Sequence, residues 1–539
     1  MSFLTSLQHK YGALESWVQR HPMQTCVAIL LLLGFCTRFF LLQHPDTAVF
    51  DEVHFNFFSS SYHSGLYYYD IHPPLGKLLI ALSTAPFGGL ETADVVRTIS
   101  TPYPDNNYIA MRFLPALAGA LLPLVIFLIS RELGINFFGS FVAGALIALD
   151  NGLLVQSRFI LMDAFLLLFG FVGIWLFLSA RRLESWPRLL LSAVAVGCSF
   201  SVKWLGVSFL GLIGLIMISD FVIKLWKTGA FFKAISPGVA YLSLALCTYV
   251  VIFFIHFQLL PLSNHQGDQF MGTAFRSTLQ GSEFENATST IRSVRCPVKY
   301  KDQLKYGMPN TTVTPKLARA CAIDYTEFTA PGFIGKFLEL NRVMYTTNQG
   351  LGKSHPDASP WYSWPLMTKP LYYWYKDGAR IYFLGNPLVW WLSIAAVVGL
   401  TGLLALSILT VLGLHIGRAF NPQWLQSSVP WIQSTGQAVS QRVLRSPALW
   451  ILSIGFWSNM LPFTFVERIM FMYHYLNSLI FAILLTGYLV GLIKQPKWWS
   501  ISLTMLALAC FLFISPLSLG LNWFGSDMLW FLKALGWHP

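Results

Sequence analysis

Charge is what this sequence has least of. Only 11% of its 539 residues are Asp, Glu, Lys or Arg, whereas a typical soluble domain has about 25%. Acidic residues are the scarcer sign, 24 against 36 Lys and Arg, and the formal net charge is +12. So little charge, together with 55% hydrophobic residues, excludes an ordinary soluble enzyme and predicts a membrane protein.

A nucleic-acid-binding motif is also missing. The excess of Lys and Arg could suggest a nucleic-acid partner, but these residues lie in short loops between apolar runs. That placement is typical of the residues that orient a protein in a membrane. The sequence contains no nucleic-acid-binding motif with a basic patch beside it. We therefore expect no nucleic-acid partner.

Cysteine is sparse and forms no metal-binding pattern. The seven cysteines include no CxxC pair, and five lie in apolar runs, where a thiol usually behaves as a small buried hydrophobe. Cys296 and Cys321 instead share one long polar segment. If that segment faces an oxidising compartment, a disulfide and two free thiols are about equally expected. No HxxxH or HExxH spacing predicts a metal site; a divalent cation is left as an unsupported alternative.

Long apolar runs are abundant, and they set the fold class. A membrane-spanning helix needs about 20 apolar residues, which predicts an all-α multi-pass membrane protein with eleven spans. The spans lie near residues 25–42, 107–130, 135–149, 159–180, 188–202, 204–222, 235–258, 386–414, 448–465, 469–491 and 498–518. About 24 mostly polar residues precede the first run and no small-residue cleavage site follows it, so we expect a retained helix.

The distribution of charge predicts the orientation. With the N-terminus inside, the inner loops carry fourteen Lys and Arg residues against four acids. The loop 43–106 instead carries seven acids against Lys77 and Arg97. By the positive-inside rule, this loop faces outward.

Three regions follow from these spans. Residues 1–258 form an N-terminal transmembrane module whose first outer loop, 43–106, carries the candidate chemistry. Residues 259–385 form a second outer loop, in which we expect no separate soluble domain. Residues 386–539 form a C-terminal module of four helices. Within the first outer loop, 53–67 and 75–87 have an apolar periodicity that fits interfacial helices.

The first outer loop concentrates reactive side chains. The adjacent acids Asp51 and Glu52 are followed by three histidines, of which His72 begins the sequence HPPLGK that ends at Lys77. A carboxylate there could take a proton from an attacking hydroxyl. The alternative is a solvated acidic turn, with interfacial hydrogen bonds for the histidines.

Charged residues also lie near the outer ends of several spans. A charge at membrane level is costly and usually faces a cavity or a partner. Convergence on one polar site is the economical interpretation, and snorkelling or local ion pairing is the alternative. Several cations beside an acid suit a departing lipid phosphate. The residues are Arg112, Arg158, Asp163, Lys203, Glu467 and Arg468.

Several longer motifs share one family pattern. They are DEVHF, DIHPPLGKLLIAL, MRFLPALAG, LDNGLLVQSRFILMDAF, SVKWLGV, FLELNRVMYTTN, HPDASPWYSWPL, IYFLGNPLVWW and RIMFMYHYL. In this order, and over most of the chain, they resemble the protein O-mannosyltransferase family. The resemblance implies a GT-C glycosyltransferase fold with eleven spans. It also implies inverting transfer of mannose from polyprenyl (dolichyl-type) phosphate mannose to Ser or Thr hydroxyls of proteins.

The resemblance further implies roles for individual residues. Asp51 is the candidate base or acceptor-orienting acid, with Glu52 beside it. The lipid-phosphate-sugar site would be lined by His72, Pro73, Lys77, Arg112, Lys203 and Trp204. The same pocket would include Arg158, Asp163, Arg468 and His474, although Asp163 could equally be a structural partner of Arg158 or Arg112.

One departure from the family pattern affects the expected host. The eukaryotic members carry a β-trefoil MIR domain of roughly 200 residues in the second outer loop, where this chain has about 50 residues, 283–335. We therefore expect a bacterial inner-membrane enzyme whose active site faces outward, with the endoplasmic reticulum membrane as the alternative. The expected partners are the lipid donor, Ser/Thr-containing proteins, membrane lipids and, as a further option, the secretion translocon.

Two other functions fit part of the pattern. A glycosyltransferase of the same fold that modifies lipid A or another glycolipid would share the lipid-phosphate chemistry. A transporter would share the spans and the charges at membrane level, although the sequence has no inverted repeat of interrupted helices. Release of polyprenyl phosphate during turnover would distinguish an enzyme from a transporter.

Overall fold

The structure is a computed structural model that describes residues 20–89, 95–300, 302–352, 355–420, 443–522 and 533–534. The polar N-terminal tail and most of the inner loop 415–447 lie outside these residues. The predictions made for those two segments therefore stay predictions.

The described residues of the N-terminal half form ten α-helices. They are α1 Pro22–Phe39, α2 Glu52–Ser64, α3 Leu75–Thr84, α4 Asn107–Glu132, α5 Phe137–Ala148, α6 Asn151–Arg158, α7 Asp163–Leu183, α8 Trp186–Val202, α9 Val207–Thr228 and α10 Phe231–Leu259. Helices α2 and α3 occupy the first outer loop, where the periodicity predicts helices over 53–67 and 75–87. Local capping explains several starts: the Asn136 side chain accepts a hydrogen bond from the Gly139 N–H, and Asp150 accepts one from Leu153.

The second outer segment contains the strands that the structure describes. Its elements are α11 His265–Asp268, α12 Thr273–Arg276, β1 Ser289–Arg295, α13 Pro315–Ala320, β2 Ala322–Glu327, α14 Phe333–Gly350, β3 Leu371–Lys376 and β4 Ala379–Phe383. Strands β1 and β2 pair antiparallel, as do β3 and β4. A disulfide joins Cys296 to Cys321, so of the two states left open by the sequence, the structure shows the disulfide.

A small apolar cluster of its own stabilises the β1–β2 part of this segment. Its buried centre is Ile291, Leu304 and Leu317. Three buried side chains do not make this stretch a separate soluble domain, and the prediction that the second outer loop contains none stays a prediction. The C-terminal module follows, with α15 Pro387–Phe420, α16 Pro447–Met460, α17 Leu476–Leu492 and α18 Pro496–Leu519.

All eleven predicted spans coincide with helices. Within the described residues, nine helices are long and apolar enough to cross a membrane, and α5 with α6 forms a further candidate that is bent by 54°. The remaining predicted span, 188–202, is α8, an apolar helix of 17 residues. Burial separates central from peripheral spans: 78% of the apolar window of α17 is buried inside the protein, against 22% of that of α1.

Glycines let the two helical modules approach closely. A Cβ atom at Gly487 on α17 would lie 2.6 Å from the carbonyl oxygen of Gly139 on α5, so the two backbones touch at this crossing. Beside it, the Asn136 side chain donates to the Gly491 carbonyl at 2.6 Å. The modules therefore pack as one helical body.

A buried carboxylate makes a second link between the modules. Asp150, at the start of α6, accepts hydrogen bonds from the Asn386 N–H at 3.0 Å and the Trp390 indole at 2.8 Å. The Asn386 side chain donates to the carbonyls of Leu149 and Ala507, both at 2.9 Å. Two of the quoted motifs, LDNGLL and GNPLVWW, thus meet to hold α6 against α15 and α18.

Candidate active site

Asp51 is positioned by a strained residue that β3 holds in place. Phe50 has a φ of +47°, a conformation rare for a bulky residue. Its N–H donates to the Tyr373 carbonyl at 3.2 Å, and its ring stacks on the Tyr373 ring with centroids 4.1 Å apart. Among the described residues, the Asp51 side chain makes no capping bond to α2, which leaves its carboxylate available to a substrate.

Glu52 and Arg112 form a closed, fully buried ion pair. Arg112 Nε and Nη2 each donate to the Glu52 carboxylate at 2.8 Å. Glu52 also accepts from the N–H groups of Val49 and Ile160 and from the Tyr103 hydroxyl. The remaining bonds of Arg112 go to the carbonyls of Leu42, Pro45 and Thr47.

This arrangement changes the predicted roles of both residues. Each side chain has 0% exposure, and the guanidinium is occupied on all three nitrogens. Contact with a lipid phosphate does not fit Arg112, and proton transfer to an acceptor does not fit Glu52. The pair instead fixes α2 against α4 directly behind Asp51, so we assign both residues a positioning role.

Arg158 is also placed differently from the prediction. Its side chain is fully buried, and Nη2 donates to the carbonyls of Leu41 and His44 at 2.7 and 2.9 Å. It does not line the cavity described next. The structure therefore places Arg158 where it holds the end of α1 and the chain that follows it.

The outer side of the helical body has a cavity of about 680 Å³. Asp51 is not among its lining residues, but its carboxylate interacts electrostatically with Lys203 and Asp163, which are. The cavity wall combines the loop before α3, the start of α7, the α8–α9 junction, α14 and the segment before α17. Of the six charged residues predicted to converge, Asp163, Lys203, Glu467 and Arg468 line this cavity, and Arg112 and Arg158 do not. The predicted site residues that line the cavity are His72, Asp163, Lys203, Trp204, Arg468 and His474.

Lys203 is the partner of Asp163. The ammonium donates to both carboxylate oxygens at 2.9 Å, and both side chains are slightly exposed to the cavity. The sequence suggested Arg158 or Arg112 as the partner, and both alternatives are wrong. Next to this pair, the Trp204 indole donates to the Tyr249 hydroxyl at 3.0 Å, which fixes one wall of the cavity.

Arg468 faces the cavity with neutral partners. Its Nη1 donates to the Asn348 side-chain oxygen, and its Nη2 lies 3.5 Å from His474 Nε2. The Asn348 amide also donates to the Ile71 carbonyl at 2.8 Å, so α14 connects Arg468 to the loop that carries His72. A guanidinium held by neutral groups keeps its full positive charge for an anionic ligand.

Lys77 lies one layer behind the cavity. It forms an ion pair with Asp70 and donates to the His72 carbonyl at 2.6 Å. Its side chain has 1% exposure, and Pro73 beside it is buried as well. A separate, much smaller cavity is lined by both His72 and Lys77.

Burial and neighbouring charges set the protonation of the loop residues. Burial raises the pKa of Asp51 to about 6, although His54 and Lys203 counteract this and Asp163 and Asp70 reinforce it. Burial and the nearby cations hold the pKa of His72 well below its usual value. Near neutral pH the site therefore offers a carboxylate base and a neutral imidazole.

Sequence reasoning missed the polar contribution of α14. Tyr345, Asn348 and Gln349 line the cavity, and all three lie in or next to the quoted block FLELNRVMYTTN. They carry no charge, so the search for charges at membrane level passed over them. Tyr473, within RIMFMYHYL, was missed for the same reason, although its ring lies 5.3 Å from Lys203 Nζ.

Two family models match most of the chain. The model described as "Dolichyl-phosphate-mannose-protein mannosyltransferase" matches residues 28–261. The model described as "C-terminal four TMM region of protein-O-mannosyltransferase" matches residues 333–535. Residues 262–332, which contain β1 and β2, lie between the two matches.

Curated relatives match over different lengths. Dolichyl-phosphate-mannose--protein mannosyltransferase 1 of Saccharomyces cerevisiae is 24% identical, over 92% of this chain and 81% of its own. Protein O-mannosyltransferase 1 of Drosophila melanogaster is 36% identical over 47% of this chain, and the match spans 30% of its length. The chain thus spans most of the yeast relative but less than a third of the fly relative.

A solved structure has the same fold. The S. cerevisiae protein O-mannosyltransferase Pmt1-Pmt2 complex bound to the sugar donor superimposes with a TM-score of 0.76 at 21% identity. The match covers 96% of this chain and 92% of that chain. At 21% identity the comparison supports the fold alone. It confirms the predicted multi-pass GT-C architecture.

Proposed function

This chain belongs to the protein O-mannosyltransferase family, and from that premise we propose that it transfers mannose from a polyprenyl (dolichyl-type) phosphate to Ser or Thr hydroxyls of proteins. The observation that carries the proposal is the cavity lined by Lys203 and Arg468, with the Asp51 carboxylate close enough to Lys203 for the two charges to interact. Family membership favours this activity over modification of a glycolipid and over transport.

The geometry supports an inverting displacement. The Asp51 carboxylate takes the proton from the acceptor hydroxyl, whose oxygen attacks the anomeric carbon of mannose opposite the phosphate. The bond from that carbon to the phosphate oxygen breaks as the new glycosidic bond forms. The electron pair leaves with the lipid phosphate, and the proton remains on Asp51 until it passes to solvent.

The cations of the cavity have a defined part in this step. Negative charge grows on the phosphate as it departs, and fixed cations stabilise that charge most in a site that excludes water. We assign this role to Arg468, which neutral groups hold, and to Lys203, which Asp163 orients. Because these side chains supply the positive charge, transfer should persist when EDTA removes free divalent cations.

The apolar side of the cavity fits the lipid part of the donor. Leu205, Phe463 and Val466 line it together with the exposed ring of Phe465. For the host membrane we propose a bacterial inner membrane with the cavity facing outward, supported by the loop charges and the short second outer segment. An endoplasmic reticulum membrane would give the same orientation relative to the cytosol.

The direct test is transfer of labelled mannose from polyprenyl phosphate mannose to a Ser/Thr peptide by the purified protein. We expect glycopeptide and free polyprenyl phosphate in equal amounts. Asp51→Asn should reduce transfer by at least about 100-fold, the usual contribution of a general base, while donor binding is kept. Asp46→Asn, an exposed acid of the same loop, is the matched control. Label that appears in lipid alone, or full activity of Asp51→Asn, would contradict the proposal.

A further inference from the structure

The stretch from Asn286 to Phe328, here called the disulfide-linked subdomain, has a surface that the proposed reaction does not use. It contains β1, β2 and α13 around its small apolar cluster, and the Cys296–Cys321 bond closes it. Two hydrogen bonds mark its ends, from the Asn286 N–H to the Ser277 carbonyl and from the Phe328 N–H to the Thr288 carbonyl.

Its surface is strongly basic. Between residues 286 and 328 the sequence has seven Lys and Arg residues against three acids, Asp302, Asp324 and Glu327. Six cationic side chains described by the structure in this stretch are exposed, and each can meet a partner from solvent. They are Arg292, Arg295, Lys299, Lys305, Lys316 and Arg319. The first outer loop has the opposite balance, with seven acids against two Lys or Arg residues.

Four of these cations gather around the disulfide. The ammonium groups of Lys299 and Lys316 lie 4.9 and 5.9 Å from the centroid of the Tyr300 ring. Arg295 immediately precedes Cys296, and Arg319 lies one helical turn after Lys316, two residues before Cys321. The Tyr300 ring therefore lies beside two ammonium groups, and the disulfide joins the segments that carry the two arginines. These four cations, here called the basic face, favour an anionic partner.

The subdomain is tied to segments close to the cavity. On its N-terminal side, Leu262 forms bridges with both Leu66 of the first outer loop and Gln280. On its C-terminal side, β2 is followed after five residues by α14, whose far end lines the cavity through Tyr345 and Asn348. At 1.5 Å per residue, the helix from the start of α14 to Tyr345 spans about 18 Å, a length that an extended acceptor segment of about six residues would cover.

The exposed surface favours a partner in water over the bilayer. A surface that lies on lipid needs a continuous apolar face. Here the fully exposed apolar side chains are isolated, with Val298 at 91% and Tyr306 at 82% exposure, and lysines stand next to both. The exposed neighbours include Gln303, Thr311, Thr312 and Thr314.

We propose that the basic face of the disulfide-linked subdomain binds acidic segments of acceptor polypeptides and so favours Ser and Thr residues near such segments. This inference rests on the proposed transferase function. Exposed charge pairs each contribute about 0.2–1 kcal/mol, so the preference is a moderate one that salt screens. It acts on acceptor binding and leaves the chemical step unchanged.

The test compares two acceptor peptides that share one Ser/Thr core, one flanked by four Asp or Glu residues and one by four Gln residues. We expect a KM for the acidic peptide about three- to tenfold lower at low salt, with equal kcat. The double variant Lys299→Gln/Lys316→Gln should remove most of this difference and leave the neutral peptide unaffected. The matched control, Lys369→Gln/Lys376→Gln, removes two charges from the same outer segment and should keep the difference.

Fluorescence anisotropy with the labelled peptides measures binding independently of turnover, so the inference and the proposed function can fail separately. Turnover of the neutral peptide alone tests the function. Equal binding of both peptides by the wild-type protein, or an acidic preference that survives in Lys299→Gln/Lys316→Gln, would overturn the inference. So would a loss of activity in this variant that depends on anionic lipid and affects both peptides equally, because the face would then contact the bilayer.

Discussion

At the scale of the residue, two adjacent acids have different environments and different roles. Asp51 and Glu52 are indistinguishable as a sequence pair. In the structure Glu52 turns inward, where Arg112 and two backbone N–H groups satisfy it. Within the described part of the chain, Asp51 has no such partner at the start of α2, and burial raises its pKa to about 6. One residue of displacement along the start of α2 thus separates a structural carboxylate from a reactive one.

The raised pKa of Asp51 predicts an acidic limb in the pH profile of activity. A base must be ionised to accept a proton, so kcat/KM for the acceptor should fall as pH drops below about 6. Lys203 lowers the pKa of Asp51 and Asp163 raises it. Lys203→Met should therefore move the limb to higher pH, and Asp163→Asn should move it to lower pH. Shifts of both variants in the same direction would show that another group controls the limb.

The buried Arg112–Glu52 pair predicts a loss of stability rather than of donor affinity. Removing one member of a buried ion pair leaves an uncompensated charge and costs about 3–5 kcal/mol. Arg112→Leu should therefore unfold well below the wild-type Tm in detergent. Arg181→Leu breaks an exposed Arg–carboxylate pair with Asp220, and it should cost at most about 1 kcal/mol. A normal Tm together with a raised KM for the donor would contradict the positioning role and support contact between Arg112 and the lipid phosphate.

At the scale of the element, helix ends and close crossings build the site. Lys203 lies in the two-helix junction between α8 and α9, and Arg468 lies in the irregular stretch before α17. Both side chains can face the cavity because the helices around them are held by packing elsewhere. The contact of α5 with α17 is one such fixed point.

That crossing predicts a large effect for a single methyl group. Gly487→Ala would bring a Cβ atom 2.6 Å from the Gly139 carbonyl oxygen, so the helices must separate. Overpacking of this kind costs about 1–3 kcal/mol. Gly211→Ala on α9 is the control, because no described atom lies within 4 Å of the added Cβ. Thermal unfolding of the two variants should differ clearly; equal Tm values would show that the crossing tolerates displacement.

At the scale of the whole molecule, orientation decides whether the chemistry can meet its substrate. The same side of the membrane should hold Asp51, the cavity and the disulfide-linked subdomain. The Cys296–Cys321 disulfide gives a direct probe, because a membrane-impermeant reductant and maleimide reach its sulfurs from one side.

Labelling after reduction should occur in right-side-out vesicles without permeabilisation and require permeabilisation in inverted ones. The variant Cys296→Ser/Cys321→Ser gives the background from the remaining five thiols, which lie in the helices of the membrane body. The reverse labelling pattern would place the cavity on the inner side and contradict the topology derived from the loop charges.

The sequence by itself determined the class of the molecule, its spans and the pool of residues from which the site is drawn. An apolar run long enough to cross a bilayer is stable there as a helix, because a helix satisfies its own backbone hydrogen bonds. Each of the eleven predicted runs coincides with a helix. Which charges face the cavity was decided by tertiary structure, because ion pairing is a matter of distance across the fold. The sequence could not show that Asp163 pairs with Lys203 while Arg112 pairs with Glu52. It also could not show that Asn348, an uncharged residue on a distant helix, holds Arg468 at the cavity wall.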